Sequence, residues 1–328
     1  MKVFLTGGTG FIGTHLVSAL LARGHYVTCL VRSPQKCAGL ESRGVRLARG
    51  DLHTPEALRE GCAGAEVIIH LAGVIAGRNA AEFIRANRDG TANVLAAAQE
   101  ANRTAAVRRF VFVSSIAATG PTVPGRALDE SAPLHPVTPY GESKRAGEAL
   151  VRAAGLPWTI VRPPIVYGEW DRATLRIFAL ANRGVLPLFG DGSQELSAIH
   201  GADLAQALTA AAESAPAEGR VYFAAHPEMT TARGLGLAVG RAVGRAHPLV
   251  IPIPVPIARV LLTVVGTAAR VAGQASVLSA ERAPEFLAPA WTCRADALTR
   301  DTGWRAQIDL ATGLERTARW YRQEGWLR

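Results

Sequence analysis

Lysine is almost absent from this sequence. Of 36 basic residues only Lys2, Lys36 and Lys144 are lysines, so the net charge of +9 is carried almost wholly by arginine. No basic run is interleaved with aromatics, and nucleic-acid binding is therefore not expected. A solvated arginine-rich surface, or attraction to an anionic membrane, fits the charge better. Cysteine is also scarce. Cys29, Cys37, Cys62 and Cys293 form no close pair, which argues against a zinc site or a disulfide framework and fits a reducing cytoplasm. No metal is expected. A strand begins at Lys2 and glycines arrive before any leader-like apolar segment could form, so no secretory leader is expected. A membrane span needs about 20 consecutive apolar residues. The apolar stretch 249–271 is interrupted by Pro252, Pro254, Pro256 and Arg259, and no span is expected there.

Apolar residues are plentiful. They make up 48% of 328 residues, which excludes a mostly disordered chain and allows one large domain or two ordinary ones. The run Val3-Phe4-Leu5 leads into Thr6-Gly7-Gly8-Thr9-Gly10-Phe11-Ile12-Gly13, and Leu16, Leu20 and Leu21 continue as a helix ending at Gly24. A strand, a glycine turn and a helix let backbone N–H groups and a helix N-terminus cradle a pyrophosphate. The spacing G-x-x-G-x-x-G is one residue longer than the commonest dinucleotide fingerprint. A tight turn without a ligand is the bland alternative.

A second strand, Tyr26 to Val31, ends at Arg32, where an acid would bind the ribose hydroxyls of NAD. Arg32, with Lys36 nearby, suits a 2′-phosphate, so NADP is favoured over NAD. The next strand, 45–48, runs into Gly50-Asp51-Leu52. Asp51 could accept from the adenine amino group or cap the helix near Pro55. A fourth strand, 67–72, ends at Gly73, where a cofactor could lie against the backbone. His70 within it is a base by type, but reads better as a satisfied core histidine. A helix is expected from about Ala80 to Asn102, with Asn87 ordering the catalytic helix or a water. Arg109 to Val113 then forms a buried strand ending in Ser114 and Ser115. Strands alternating with helices imply right-handed crossovers and a parallel sheet, with ligands beyond the strands' carboxyl ends.

Pro139-Tyr140-Gly141-Glu142-Ser143-Lys144 opens a helix running through Leu150. Tyr140 and Lys144 are four apart and share a face, and a neighbouring ammonium is expected to lower the phenol's pKa from ~10 toward neutrality. The order and spacing of Thr6 to Gly13, Gly50-Asp51-Leu52, His70-Leu71-Ala72-Gly73, Ser115 and Tyr140 to Lys144 resemble the extended short-chain dehydrogenase/reductase superfamily. Trp158 to Pro164, Val166-Tyr167-Gly168, Phe189 to Gly192, Ile199 to Leu204 and the closing segment 304–320 are similar to its later motifs.

That resemblance implies an α/β fold, a Rossmann doubly wound parallel sheet with a smaller C-terminal substrate-binding subdomain. Residues 1–165, with a returning strand near 219–225, would bind the dinucleotide; 166–328 would form a discontinuous substrate-binding part. Tyr140 would be the general acid/base, Lys144 would bind the nicotinamide ribose and Ser115 would hold the reacting oxygen. The cofactor-binding set would be Gly7, Thr9, Gly10, Phe11, Ile12, Arg32, Asp51, Leu52, Leu71, Ala72, Gly73, Asn87, Tyr140, Lys144 and Pro163, with Pro163 or Pro164 lining the nicotinamide.

The sugar-nucleotide members of the superfamily carry an arginine where this chain has Leu196, although Arg172, Arg176 and Arg183 could substitute. The stretch 249–271 resembles the apolar C-terminal helices of the 3β-hydroxysteroid dehydrogenase-like branch. It could be a core helix entered through an extended proline segment, a lid, or a peripheral membrane dock. The expected activity is hydride transfer between NAD(P) and a secondary alcohol or ketone of a hydrophobic, sterol- or terpenoid-like substrate. A nucleotide-sugar 4-epimerase or dehydratase is one alternative, and a non-enzymatic dinucleotide-sensing subunit is another. A cytoplasmic or membrane-associated homodimer is expected.

Overall fold

The computed structural model describes residues 1–32 and 38–328, and the backbone alone of Ala38. Thirteen strands occur among the described residues: β1 (Lys2–Thr6), β2 (Tyr26–Val31), β3 (Arg46–Arg49), β4 (Val67–His70), β5 (Arg109–Val113), β6 (Trp158–Arg162), β7 (Ile165–Tyr167), β8 (Val185–Phe189), β9 (Glu195–His200), β10 (Arg220–Phe223), β11 (Met229–Thr231), β12 (Leu249–Ile253) and β13 (Ala290–Trp291). Seven form one sheet in the order β3-β2-β1-β4-β5-β6-β10, all parallel. Parallel pairing needs helical crossovers and buries both faces, which is why β1, β4 and β5 are runs of Val, Ile, Leu and Phe. Leu5, Leu16, Leu20 and Ile69 fill one side of the sheet, and Phe4, Ile68, Phe110 and Ile160 the other.

The chain order reverses between β1 and β4, so a crevice opens above their carboxyl ends. Strand β10 falls within the stretch 219–225 and pairs with β6 at the sheet edge. A smaller set centres on β9, which pairs with β7, β11 and β13; β8 pairs with β12.

Three local expectations shift. The third strand is Arg46–Arg49, one residue later than the apolar pattern suggested. The closing helix spans Leu310–Gln323, capped by the Asp309 side chain rather than starting at Trp304. The helix expected from Ala80 to Asn102 is not uniform: Ala80–Phe83 is α-helical, Ile84–Asp89 is a π-helix, and Gly90–Asn102 returns to α.

The stretch 249–271 divides at Pro254 into β12 and a helix, Val255–Val271. Only Ala258, Leu262 and Gly266 of that helix are buried, so it is not a core helix. No helix among the described residues is long and apolar enough to cross a membrane.

Candidate active site

The glycine turn sits where β1 ends. Gly7 has φ +82°, and a Cβ there would lie 2.9 Å from the Ala72 nitrogen; one at Gly13 would lie 2.1 Å from the Gly7 carbonyl oxygen. Only glycine fits both positions. The helix Phe11–Ala22 has no side-chain cap and no acid in its first turn, which leaves its leading N–H groups open to an anionic ligand. Thr9 and Gly10 are exposed, with Phe11 and Ile12 half-buried beside them. A narrow backbone cradle at an uncapped helix N-terminus fits a dinucleotide pyrophosphate.

Two further loops border this cradle. Ala72 donates its N–H to Thr6 Oγ1 at 3.1 Å, drawing Leu71-Ala72-Gly73 against the turn. Asp51 neither caps a helix nor stands free: its carboxylate accepts from the His53 N–H at 2.8 Å and the Thr54 hydroxyl at 3.1 Å. The backbone bond from His53 is the main cause holding Asp51 below the usual carboxylate range, with the nearby charge of Arg32 a smaller one. Arg32 is exposed at the end of β2, near Asp51. Lys36 lies outside the described residues. Leu52 packs against Gly90, and its carbonyl accepts from Asn93 Nδ2 at 2.8 Å.

A continuous hydrogen-bond line joins the glycine turn to the helix Pro139–Ala153. Thr6 Oγ1, already an acceptor from Ala72, donates to His70 Nδ1 at 2.7 Å. His70 Nε2–H must then donate to Thr91 Oγ1 at 3.0 Å, whose hydroxyl donates to the Asn87 carbonyl at 2.6 Å. Burial drives the His70 pKa down to about 3, with the Lys144 charge adding to it, so the imidazole is neutral. It is the satisfied core histidine that its apolar strand suggested, not a base.

Asn87 carries the line on. It accepts from Val74 N–H at 2.8 Å and donates to the Val74 carbonyl and to Ser143 Oγ at 2.9 Å; Ser143 donates to the Tyr140 carbonyl at 2.7 Å. Asn87 therefore orders the tyrosine-bearing helix directly. A Cβ on Gly73 would come within 2.8 Å of Asn87 Oδ1 and 3.4 Å of Lys144 Nζ, which places the fourth-strand loop beside the lysine.

Pro139 begins the helix, with the Thr138 hydroxyl accepting from Gly141 N–H. Tyr140 and Lys144 are both buried on one face. Ser115, which follows β5, stands beside the Tyr140 phenol, and its Oγ accepts from Ala117 N–H at 3.1 Å. Pro163 is buried after β6, and its carbonyl accepts from Ile116 N–H at 2.9 Å. Ser115, Tyr140, Lys144 and Gly73 thus converge beyond the sheet's carboxyl edge.

The expected electrostatics need correction. Lys144 does not pull the phenol toward neutrality. Its ammonium donates to the Val113 carbonyl at 2.8 Å and lies 5.1 Å from the Phe112 ring centroid. Burial lowers the Lys144 pKa to about 8, opposed by the charge of Glu148. Tyr140 is shifted upward instead, because burial outweighs the lowering influence of the Ser115 hydroxyl and of the Arg282 charge. Arg282 is the cation next to the phenol: its guanidinium lies 5.2 Å from the ring centroid. It is buried, donates to the Ile75 carbonyl at 2.6 Å and pairs with Glu285.

The model of the NAD dependent epimerase/dehydratase family matches residues 3–225. The chain belongs to that family. It is 36% identical over 332 residues to a ceramide reductase of Caulobacter vibrioides, covering 99% of this chain and 96% of that protein. A second relative is the 4-hydroxy-2-methyl-3-oxo-4-farnesyl-3,4-dihydroquinoline-1-oxide ketoreductase of Stigmatella aurantiaca, 38% identical over 230 residues and 68% and 67% of the two chains. Among solved structures, the dTDP-glucose 4,6-dehydratase DesIV of Streptomyces venezuelae superposes with a TM-score of 0.80 at 25% identity, covering 100% of this chain and 99% of the other. The protein is an NAD(P)-dependent extended short-chain dehydrogenase/reductase of the 3β-hydroxysteroid dehydrogenase-like branch.

In this family member three groups of site residues escaped sequence reasoning. Glu148 and Arg162 are both buried and joined at 2.8 and 2.6 Å, with Ser114 Oγ donating to Glu148 at 2.6 Å. The signal was present, since Glu148 continues the Tyr140, Lys144 stripe by another four residues. Behind the glycine turn, Glu169 lies 3.1 Å from His200 Nε2, 3.6 Å from His15 Nε2 and 3.2 Å from Arg316. Burial alone would raise Glu169, yet the close contact with His200 and the surrounding charges bring it to about 2; burial takes His15 down to about 4. Arg282 and Glu285 come from a distant segment with no spacing relation to Tyr140, so no local pattern announces them.

Proposed function

We propose that this enzyme reduces a ketone on a long apolar molecule, or oxidises the matching secondary alcohol, with NADP as the preferred cofactor. The bound nicotinamide supplies or takes the hydride at the carbinol carbon. Tyr140 gives its phenolic proton to the substrate oxygen in reduction and takes it back in oxidation. Ser115 holds that oxygen. Lys144, fixed on the Val113 carbonyl, faces the Gly73 loop where the nicotinamide ribose would lie. Arg32 would pair with a 2′-phosphate.

Leu196 is the observation that carries the substrate class. It is buried with Ile116, Phe223 and Trp291, in an apolar cluster that begins one residue beyond Ser115. Of the candidate replacements, Arg172 stacks at 4.2 Å on Trp326, Arg176 is exposed on the helix Leu175–Asn182 and Arg183 follows that helix's last residue. A diphosphate would find no guanidinium at Leu196, whereas an acyl or prenyl chain would find a compatible wall. The names of the two relatives, a ceramide reductase and a ketoreductase of a farnesylated quinoline, support this choice. Because the Caulobacter relative matches nearly the whole chain, a ceramide-like ketone stands first.

The test is stoichiometric. Purified enzyme given NADPH and an apolar ketone should consume one NADPH for each ketone reduced. Conversion of a UDP-sugar with no net change in cofactor would overturn the reading in favour of an epimerase or dehydratase.

A further inference from the structure

Most of the chain hides its large apolar side chains, but 249–271 does the reverse. Among the described residues, eight of the fourteen exposed large hydrophobic side chains lie in this stretch. On the helix Val255–Val271, Ile257, Val260, Leu261 and Val264 recur at the spacing of one helical face, and all are exposed, Val260 by 63%. Leu249 and Ile251 extend the patch onto β12. The opposite face is made of Ala258, Leu262 and Gly266, and a Cβ on Gly266 would lie 2.8 Å from Ser279 Cα. That face is therefore already packed, while the face of Ile257, Val260, Leu261 and Val264 is left exposed among the described residues. Such a patch marks an interaction surface.

Charge identifies what it meets. Between Met229 and Ala280 the chain has no aspartate or glutamate, but it has Arg233, Arg241, Arg245, Arg259 and Arg270. All five are exposed; Arg270 pairs with Glu281 just past the stretch, while the other four make no ion pair among the described residues. An apolar stripe flanked by arginines, on a helix too short to span, is the pattern of a helix lying in the plane of an anionic bilayer. Its arginine stems can bury beside the acyl region while the guanidiniums reach the phosphates.

Position gives the patch a purpose. Arg270 donates to the Arg78 carbonyl at 3.0 Å, and Arg282, past the helix, donates to the Ile75 carbonyl beside Tyr140. The end of the helix is thus tied to the loop at 75–78, and Arg282 ties the same loop to the Tyr140 ring.

We propose that 249–271 seats the enzyme on an anionic phospholipid bilayer, with Ile257, Val260, Leu261 and Val264 immersed, so that an apolar substrate passes from the membrane to Tyr140. The substrate part rests on the reading under Proposed function; the membrane contact does not.

Flotation of the full-length enzyme with vesicles separates the two. With vesicles of phosphatidylglycerol and phosphatidylcholine the protein should float, and raising the salt from 0.05 to 0.5 M should weaken binding by about tenfold or more. Pure phosphatidylcholine should hold it less well. The doubly substituted chain, Val260→Gln with Val264→Gln, keeps the packed face, and its near-ultraviolet dichroism serves as the check on folding. It should lose at least tenfold in vesicle binding. Failure of the wild type to float with anionic vesicles, or equal flotation of the variant, would overturn the proposal. So would dissociation of a dimer by the substitutions without loss of vesicle binding, which would make the patch a contact between two copies. An enzyme that floats but does not reduce an apolar ketone would keep its membrane contact and lose only the proposed substrate.

Discussion

Around Tyr140 the polar side chains are buried and bonded to one another, from Thr6 through His70, Thr91, Asn87 and Ser143. At 249–271 eight large apolar side chains are exposed. Each region inverts the ordinary partition of a soluble fold, and each inversion has a cost. A buried polar group is tolerable only when every partner is present. An exposed apolar face is tolerable only when something covers it during function. The first region answers inward, to cofactor and proton geometry; the second answers outward, to the surroundings. On the two proposals, reaction chemistry and substrate supply are separated along the chain.

The widest gap between the regions should appear with Tyr140→Phe. Turnover should fall by about 10²–10⁴-fold while cofactor binding, measured by fluorescence titration, stays nearly intact. Unaltered turnover would remove Tyr140 from the reaction.

Glu148→Gln probes the same wall from behind. It strips the buried Arg162 of its anion and should cost about 3–5 kcal/mol in urea denaturation. Lys144 loses the charge that opposes its downward shift, so the alkaline limb of activity, set near its pKa of about 8, should move to lower pH. A limb that stays put would show that Lys144 does not set it.

Mild acid should loosen the buried wall and leave the apolar face alone. His70 and His15 stay neutral in the fold down to about 3 and 4, whereas unfolded histidines protonate near 6.5. Between pH 6.5 and 5 the unfolded chain therefore binds protons that the native one does not. Stability should drop by up to about 1.4 kcal/mol per pH unit for each histidine. This window lies above that of Glu169, whose pKa of about 2 matters only in stronger acid. Urea midpoints at pH 6.5 and 5 measure the slope, and equal midpoints would contradict it.

The smallest effect belongs to an exposed side chain. Arg32→Ala should weaken NADP by about tenfold with NAD little changed, a gap readable by calorimetry. Equal losses for both cofactors would remove Arg32 from the 2′-phosphate.

The buried region was largely legible in the sequence because its signals are local. Glycine spacing, runs of Val and Ile, and Tyr140 four residues before Lys144 each report a geometry fixed within a few bonds. The Asn87 bond to the tyrosine helix was legible in part, since residue type suggested an ordering role. What stayed hidden depends on distant segments. Arg282 reaches Tyr140 from a distant segment past the helix Val255–Val271, and burial rather than Lys144 governs the phenol. Pairwise spacing carries no information on desolvation, so the direction of that shift could not be read. The exposure of Ile257 and Val260 was equally invisible, because an apolar run has the same sequence whether it faces a core or a bilayer.

The π-helical turns at Ile84–Asp89 have one more consequence. Phe83, Asn87 and Thr91 follow at intervals of four, and a helix of 3.6 residues per turn would rotate each about 40° past the last. The wider turns absorb that drift, so Phe83 meets the Tyr140 ring, Asn87 meets Ser143 and Thr91 meets His70 along one straight edge. The extra turn width acts as a gear that brings two mismatched periods into phase. Deleting a single residue there would give a more regular helix by circular dichroism and disengage Asn87 from Ser143, trading catalytic alignment for helical regularity.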